Sequence, residues 1–337
     1  MRIDELWKEM EAETQSDVGW LTRLARPESG YPLYIAIEQT NRTRAILLPV
    51  DRKDLPQRRE WPDCSGLELS RVALTSGIYF CVRLRESAFV DIFSAFVQDL
   101  GPRIGICANG KKATLLLIER MRLWQRFLKS STGLLSVEQQ KGLWGELHTL
   151  LHHMIPGYGG MVAVAGWKGG AAAHQDFQFA ASAIEVKTTS AKQPVAVRVT
   201  SERQLDSTGI PRLFLHVLVV DQREVEPGSD VDGQTLSGII AQIREKFQGE
   251  TITLLQFNDL LIQAGWLDHL AARYEDRCWN VRAQHTFHIA TGFPRITETD
   301  LPEGVSDVKY TIGLEACQSF EVNQEAMYSH SVQDSSR

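Results

Sequence analysis

The rhythm of apolar and polar residues changes several times along the chain, and each rhythm predicts an element. Residues 3–14 (IDELWKEMEAET) place apolar side chains at helical spacing and predict a short amphipathic helix. Four β-type runs follow, at 33–37, 44–50, 67–73 and 78–83, separated by Pro, Gly, Asn and Asp. Short runs at this spacing predict an antiparallel sheet module. Residues 86–100 return to helical spacing, with Phe89, Ile92, Phe93 and Phe96 on one stripe. Two further helices are predicted at 114–129 and 137–154.

After Met154 the texture shifts. Six glycines fall between 157 and 170, and turn-making is their commoner role. Strands are predicted at 161–165, 177–180, 184–189 and 195–200, then a short helix at 201–205 with Ser201 as its N-cap. Residues 213–220 (LFLHVLVV) form an apolar run interrupted only by His216, which marks a strand covered on both faces. A polar loop at 225–233 precedes helices at 234–247 and 252–264, strands at 278–291 and 307–322, and a polar tail from Tyr328 that is expected to be disordered. From residue 137 the order helix, three strands, further strand, short helix, buried strand predicts an α/β fold around a mixed central sheet.

Composition narrows the class. The 337 residues are 43% hydrophobic and 23% charged, the ordinary balance of a globular chain. The formal net charge of −6 excludes a histone-like binder, though positive charge can still be local. The five cysteines are scattered without CxxC spacing, as expected of reduced cytosolic thiols rather than a disulfide or zinc scaffold. With no run near the ~20 apolar residues a bilayer demands and no apolar leader, the expected location is the cytoplasm, with no membrane partner.

The chemistry concentrates around Asp176 and Glu185-Val186-Lys187. Strand alternation puts Glu185 and Lys187 on one face and Val186 on the other. A hairpin of this length can bring Asp176 beside Glu185. Two carboxylates ~4 Å apart repel by roughly 4 kcal/mol at an effective dielectric near 20, so such a pair persists if a divalent cation lies between them; hard oxygen ligands suit Mg²⁺ or Mn²⁺. Lys187 can orient a water nucleophile and neutralise charge on a pentacoordinate phosphorus. Upstream, Glu146 in GLWGEL can complete the metal shell from its helix. His148 and His152 are four apart, but with no HExxH pattern they do not predict zinc. Residues 101–130 carry seven basic residues against one acidic. Within them Arg122, Arg126 and Lys129 are spaced to share a helical face, a strip suited to phosphates as well as to solvent. Arg203 and Gln204 are further candidates for DNA contact, and Gln204 can also orient the attacking water.

These residues resemble the PD-(D/E)xK nuclease superfamily: Glu146 on the first core helix, Asp176 as the D, and Glu185-x-Lys187 as the ExK. The longer texture (GLWGELHTL, HQDFQF, IEVKTT, then Arg203-Gln204-Leu205) is similar to the PD-(D/E)xK family members found beside restriction-system genes, over most of the chain. The motif's proline is absent, since Gln175 precedes Asp176. The resemblance implies a restriction-endonuclease-like core (α-β-β-β-α-β) and Mg²⁺-dependent cleavage leaving 5′-phosphate ends, with Mn²⁺ able to substitute.

The expected architecture is therefore a β-rich N-terminal domain (1–110), a nuclease core with its leading basic helix (111–225), a small α+β C-terminal subdomain (226–325) and a disordered tail (326–337). The expected function is DNA endonuclease in restriction or anti-phage defence. Asp176, Glu185, Glu146 and the Val186 carbonyl are the metal ligands, and Lys187 positions the nucleophile. DNA is the expected substrate, a methyltransferase or ATPase of the same system is the candidate partner, and a homodimer would suit double-strand cutting. Two alternatives stay open: a non-catalytic DNA-binding or scaffold subunit, and a nuclease for RNA or for branched or single-stranded DNA.

Overall fold

The computed structural model describes residues 3–13, 18–25, 30–55, 57–64, 66–129, 134–169, 173–225 and 232–329. The chain divides into two units, residues 1–133 and 134–337.

In the first unit, helix α1 (Ile3–Ala12) buries Ile3, Leu6, Trp7 and Met10, the stripe its spacing predicts. Five strands follow: β1 (Trp20–Leu24), β2 (Tyr34–Glu38), β3 (Thr43–Pro49), β4 (Leu67–Leu74) and β5 (Gly77–Leu84). They form an antiparallel sheet in the order β1-β2-β3-β5-β4. Strand β1 adds one edge strand to the four expected. Helices α2 (Val90–Gly105) and α3 (Gly110–Lys129) are tied together by Asp99, which accepts from Arg103, Arg120 and Trp124. The basic helix α3 thus belongs to the first unit.

The second unit opens with α4 (Val137–Thr149). Ser136 caps it in a box with Gln139, each side chain bonding the other's backbone N–H, as this pairing does generally. The helix runs on through a π-turn (Leu150–Met154) into α5 (Ile155–Tyr158) and α6 (Gly160–Gly166). Then come β6 (Phe177–Gln178), β7 (Ala183–Thr189), β8 (Ala196–Val199), β9 (Leu213–Glu224), α7 (Leu236–Lys246), α8 (Thr251–Ala264), β10 (Arg277–His288) and β11 (Tyr310–Gly313). A four-stranded sheet runs β10-β9-β7-β6. Only β7 and β9 are parallel, so the sheet is mixed.

Leu213 to Val220 of β9 are all buried, because both faces of this sheet are covered. On one side Ile184, Val186, Phe214, Leu218 and Val220 pack with Leu143, Trp144 and Leu147 of α4 and with Ile239 and Ile243 of α7. On the other, Ala183, Leu213, Leu215, Val217 and Val219 pack with Val197 and Val199 of β8 and Ile312 of β11. α4 approaches β7 at Gly145, where a Cβ would overlap the Thr188 hydroxyl.

Five expectations need correction. Residues 161–165 are helical, not a strand: Ala163, Val164 and Gly166 are buried while Met161 and Val162 are exposed, a helical rather than alternating pattern. The predicted α-β-β-β order therefore lacks its first strand. Residues 201–205 form a turn, and β8 pairs with β11 instead of joining the central sheet. Of 307–322, only Tyr310–Gly313 is strand, followed by a 3-10 helix at Leu314–Phe320. Finally, part of the expected tail is packed: Met327 is fully buried and Tyr328 lies against Gly157; residues 330–337 lie outside the described residues.

All five cysteines are free, four of them buried. No described helix is long and apolar enough to cross a membrane.

Candidate active site

The site forms where an edge strand stops. β6 and β7 pair through two rungs, Phe177↔Ile184 and Gln178↔Ala183. The next rung would set Asp176 opposite Glu185. Instead the Asp176 carboxylate takes over: its Oδ2 accepts the backbone N–H of Val186 at 2.7 Å. The hairpin thus delivers Asp176 beside the Glu185-x-Lys187 segment, as its length predicts.

Alternation along β7 sends Ile184 and Val186 into the helix-covered core and Glu185 and Lys187 to the opposite face. Glu185 is 1% exposed. The Lys187 ammonium lies 2.6 Å from Glu185 Oε1 and donates to Gln204 Oε1 at 3.0 Å. Gln204 Oε1 also accepts from the Thr200 backbone N–H at 2.9 Å. Glu146 reaches the site from α4, and its Oε2 accepts from Trp167 Nε1 at 2.8 Å. Trp167 is placed by a β-bridge to Phe177 and by the neighbouring bond from Lys168 N–H to the Asp176 carbonyl.

The electrostatics are those of crowded, desolvated carboxylates. Burial, then the Asp176 charge, hold Glu146 and Glu185 well above the ordinary carboxylate range. Burial also raises Asp176, against the opposing pull of Lys187 and the Val186 N–H. Such a group is costly unless compensated.

Among the described residues, no three His, Cys, Asp or Glu side chains are gathered closely enough to hold a metal ion as they stand. The donor chemistry nevertheless fits a hard divalent cation. Glu185 Oε2 is buried without a hydrogen-bond partner among the described residues, beside a second raised carboxylate, and a buried orphan oxygen calls for a cation or a donor. The two histidines spaced four apart do meet, with ring centroids 4.3 Å apart. Burial pushes His148 down to about 3.

The DNA-contact candidates are dispersed. Arg203 is exposed and 3.7 Å from Glu298, while Gln204 belongs to the site itself. Arg122 is exposed on α3 and donates to the Glu60 carbonyl at 3.0 Å. The side chains of Arg126 and Lys129 lie outside the described residues. Gly169 of the glycine-rich loop faces the Leu260 backbone; Gly170 lies outside the described residues. Two contributors were not legible as site residues: Trp167, which holds Glu146, and Gln175, whose buried amide bonds the turn carrying Gln204. Their only signal was position, beside the glycine-rich loop and in the motif's proline slot.

A family model described as "Putative PD-(D/E)XK family member, (DUF4420)" matches residues 3–315. The chain belongs to this family, which its description places with the PD-(D/E)XK nucleases, enzymes that usually use divalent metals. No curated protein and no solved structure matches the chain.

Proposed function

We propose that this protein is a Mg²⁺-dependent DNA endonuclease acting in defence against foreign DNA, with the restriction-endonuclease-like core in its second unit. The observation that carries the reading is the buried Glu185, one oxygen bound to Lys187 and the other without a partner among the described residues, next to Asp176. Asp176 and Glu185 would hold the ion, with the Val186 carbonyl and Glu146 completing its surroundings. When bound, the ion would lower the pKa of water and polarise the phosphoryl oxygen.

The chain's own residues do the rest. Lys187, held between Glu185 and Gln204, presents its ammonium to the attacking water and to the charge that develops on phosphorus. Glu146, pinned by Trp167, orients water at the rim. Arg122, Arg126, Lys129, Arg203 and Gln204 are the candidates for DNA contact. A methyltransferase or ATPase of the same system, a homodimer and a cytoplasmic setting complete the proposal.

The test is nicking of supercoiled plasmid with Mg²⁺ by wild type, Lys187→Ala and Asp176→Ala. Loss of at least about a hundredfold in both variants is expected, the scale of removing one electrostatic stabiliser; equal cleavage by all three overturns the assignment. One observation favours the non-catalytic reading: Asp176 Oδ2 is already engaged by the Val186 N–H. Calorimetry with Mn²⁺ separates the two, because a scaffold has no reason to bind metal at Asp176.

A further inference from the structure

The position before Asp176, where the superfamily's name has proline, holds Gln175, and its side chain is 4% exposed. One amide nitrogen spans two carbonyls of a separate segment: Gln175 Nε2 donates to the Arg203 carbonyl at 3.0 Å and to the Gln204 carbonyl at 3.3 Å. Its Oε1 accepts from Gln178 Nε2 at 3.0 Å, which fixes which end of the amide faces the turn. A proline has no side-chain donor and could make none of these bonds.

The turn so held carries Gln204. Its other anchors include Leu205, fully buried in the core and with its carbonyl accepting from Arg295, the Arg203–Glu298 pair, and Glu202, which accepts the Val308 N–H at 3.0 Å. None of these reaches back to the strand that bears Asp176; Gln175 does. The Gln204 side chain then gathers three donors on one oxygen: Lys187 Nζ at 3.0 Å, Thr200 N at 2.9 Å and Thr200 Oγ1 at 3.2 Å. A continuous chain of hydrogen bonds therefore runs from Gln178 through Gln175, the 203–204 backbone and Gln204 to Lys187 and Glu185.

We propose that Gln175 is a positioning residue: it locks the Gln204 turn to the Asp176 strand and so fixes the Lys187 ammonium in the site. The role in cleavage rests on the nuclease reading; the placement of Lys187 does not. A buried amide with three bonds also stabilises the fold, so the test needs a readout that stability alone would not move.

Two measurements supply it on full-length wild type, Gln175→Leu, Gln204→Leu and the double variant. The first is the rate of acylation of Lys187 by an N-hydroxysuccinimide acetate reagent, read by peptide mass spectrometry with exposed Lys192 as internal standard. Severalfold faster labelling of Lys187 is expected in each single variant, with no further rise in the double. The second is plasmid nicking with Mg²⁺, where kcat should fall about tenfold to a hundredfold, the effect of a small misplacement of a reacting group, with KM little changed. The two losses should not add in the double variant. Should Gln175→Leu fail to fold, Gln175→Met, which keeps length without donors, carries the same comparison. Wild-type labelling of Lys187 in the folded Gln175 variant overturns the proposal, as do losses that add. If wild type cuts no DNA, the nuclease reading fails while the labelling arm still decides this one.

Discussion

The carboxylate of Asp176 accepts the backbone N–H of Val186 at 2.7 Å, at the rung where the β6–β7 ladder ends. One side chain thus satisfies a strand and sits among buried carboxylates. The two roles can be separated. Asp176→Asn keeps an acceptor and removes the charge; Asp176→Ala removes both. In the absence of divalent metal, Asp176→Asn should be at least as stable as wild type, because like charge is relieved from a desolvated cluster. Asp176→Ala should lose about 1–3 kcal/mol, the cost of an unpaired buried N–H. Urea denaturation measures both, and cleavage should vanish in both. A clearly destabilised asparagine variant would contradict this account.

Divalent cation should stabilise the native chain through the same carboxylates. Mn²⁺ or Mg²⁺ at about a hundred times its Kd should add about 2.7 kcal/mol, seen as a rise in Tm. Glu185→Gln should abolish most of that rise, and chelator should reverse it in wild type. An equal rise in wild type and Glu185→Gln would place the ion elsewhere.

Gly145 lets α4 approach β7, where a Cβ would meet the Thr188 hydroxyl. Gly145→Ala should therefore cost about 1–3 kcal/mol by overpacking. It should also lower cleavage by shifting the adjacent Glu146. Thr188→Ala in the same chain should recover part of both losses, checked by thermal melts and nicking rates side by side.

Trp167 donates to Glu146 Oε2 at 2.8 Å and is itself 1% exposed. Trp167→Phe keeps most of the packing and deletes the donor. A loss of about 1–3 kcal/mol is expected, the cost of leaving a buried acceptor without its donor, together with weaker Mn²⁺ binding by calorimetry. Unchanged metal affinity would make Trp167 a packing residue alone.

Burial pushes the thiols of Cys81 and Cys317 up to about 11, from an ordinary value of 9.0. The sign follows from linkage: a raised folded pKa means the unfolded chain loses the proton first. Stability is therefore full below pH 9 and falls as pH rises from there toward 11, by about 2–3 kcal/mol per thiol at most. Urea midpoints from pH 7 to 10.5 should show this fall, and Cys317→Ala should flatten it. At pH 8 neither thiol should react with Ellman's reagent until the chain unfolds.

How much of this was written in the residues varies by element. β9 was legible because a run of seven apolar residues broken only by His216 has no polar face to turn outward. The Asp176–Glu185 juxtaposition followed from hairpin length, and the Glu185-x-Lys187 face from alternation. Residues 161–165 misled because a short apolar run is equally compatible with a buried strand and a buried helix turn; only its neighbours decide. The pairing of β8 with β11 links residues more than a hundred positions apart, which local pattern does not encode. Gln175 and Trp167 act through a single hydrogen-bond donor each, and a donor's target is fixed by tertiary approach, not by spacing.

The early end of β6 has a second effect. Beyond Ile184, β7 offers the backbone groups that a stray strand from another molecule would need for docking. Here the first of them, the Val186 N–H, is capped by the Asp176 carboxylate, and the partly exposed Lys187 is the next residue. Any incoming segment would have to displace one and bury the other, so this rim is guarded against runaway self-association.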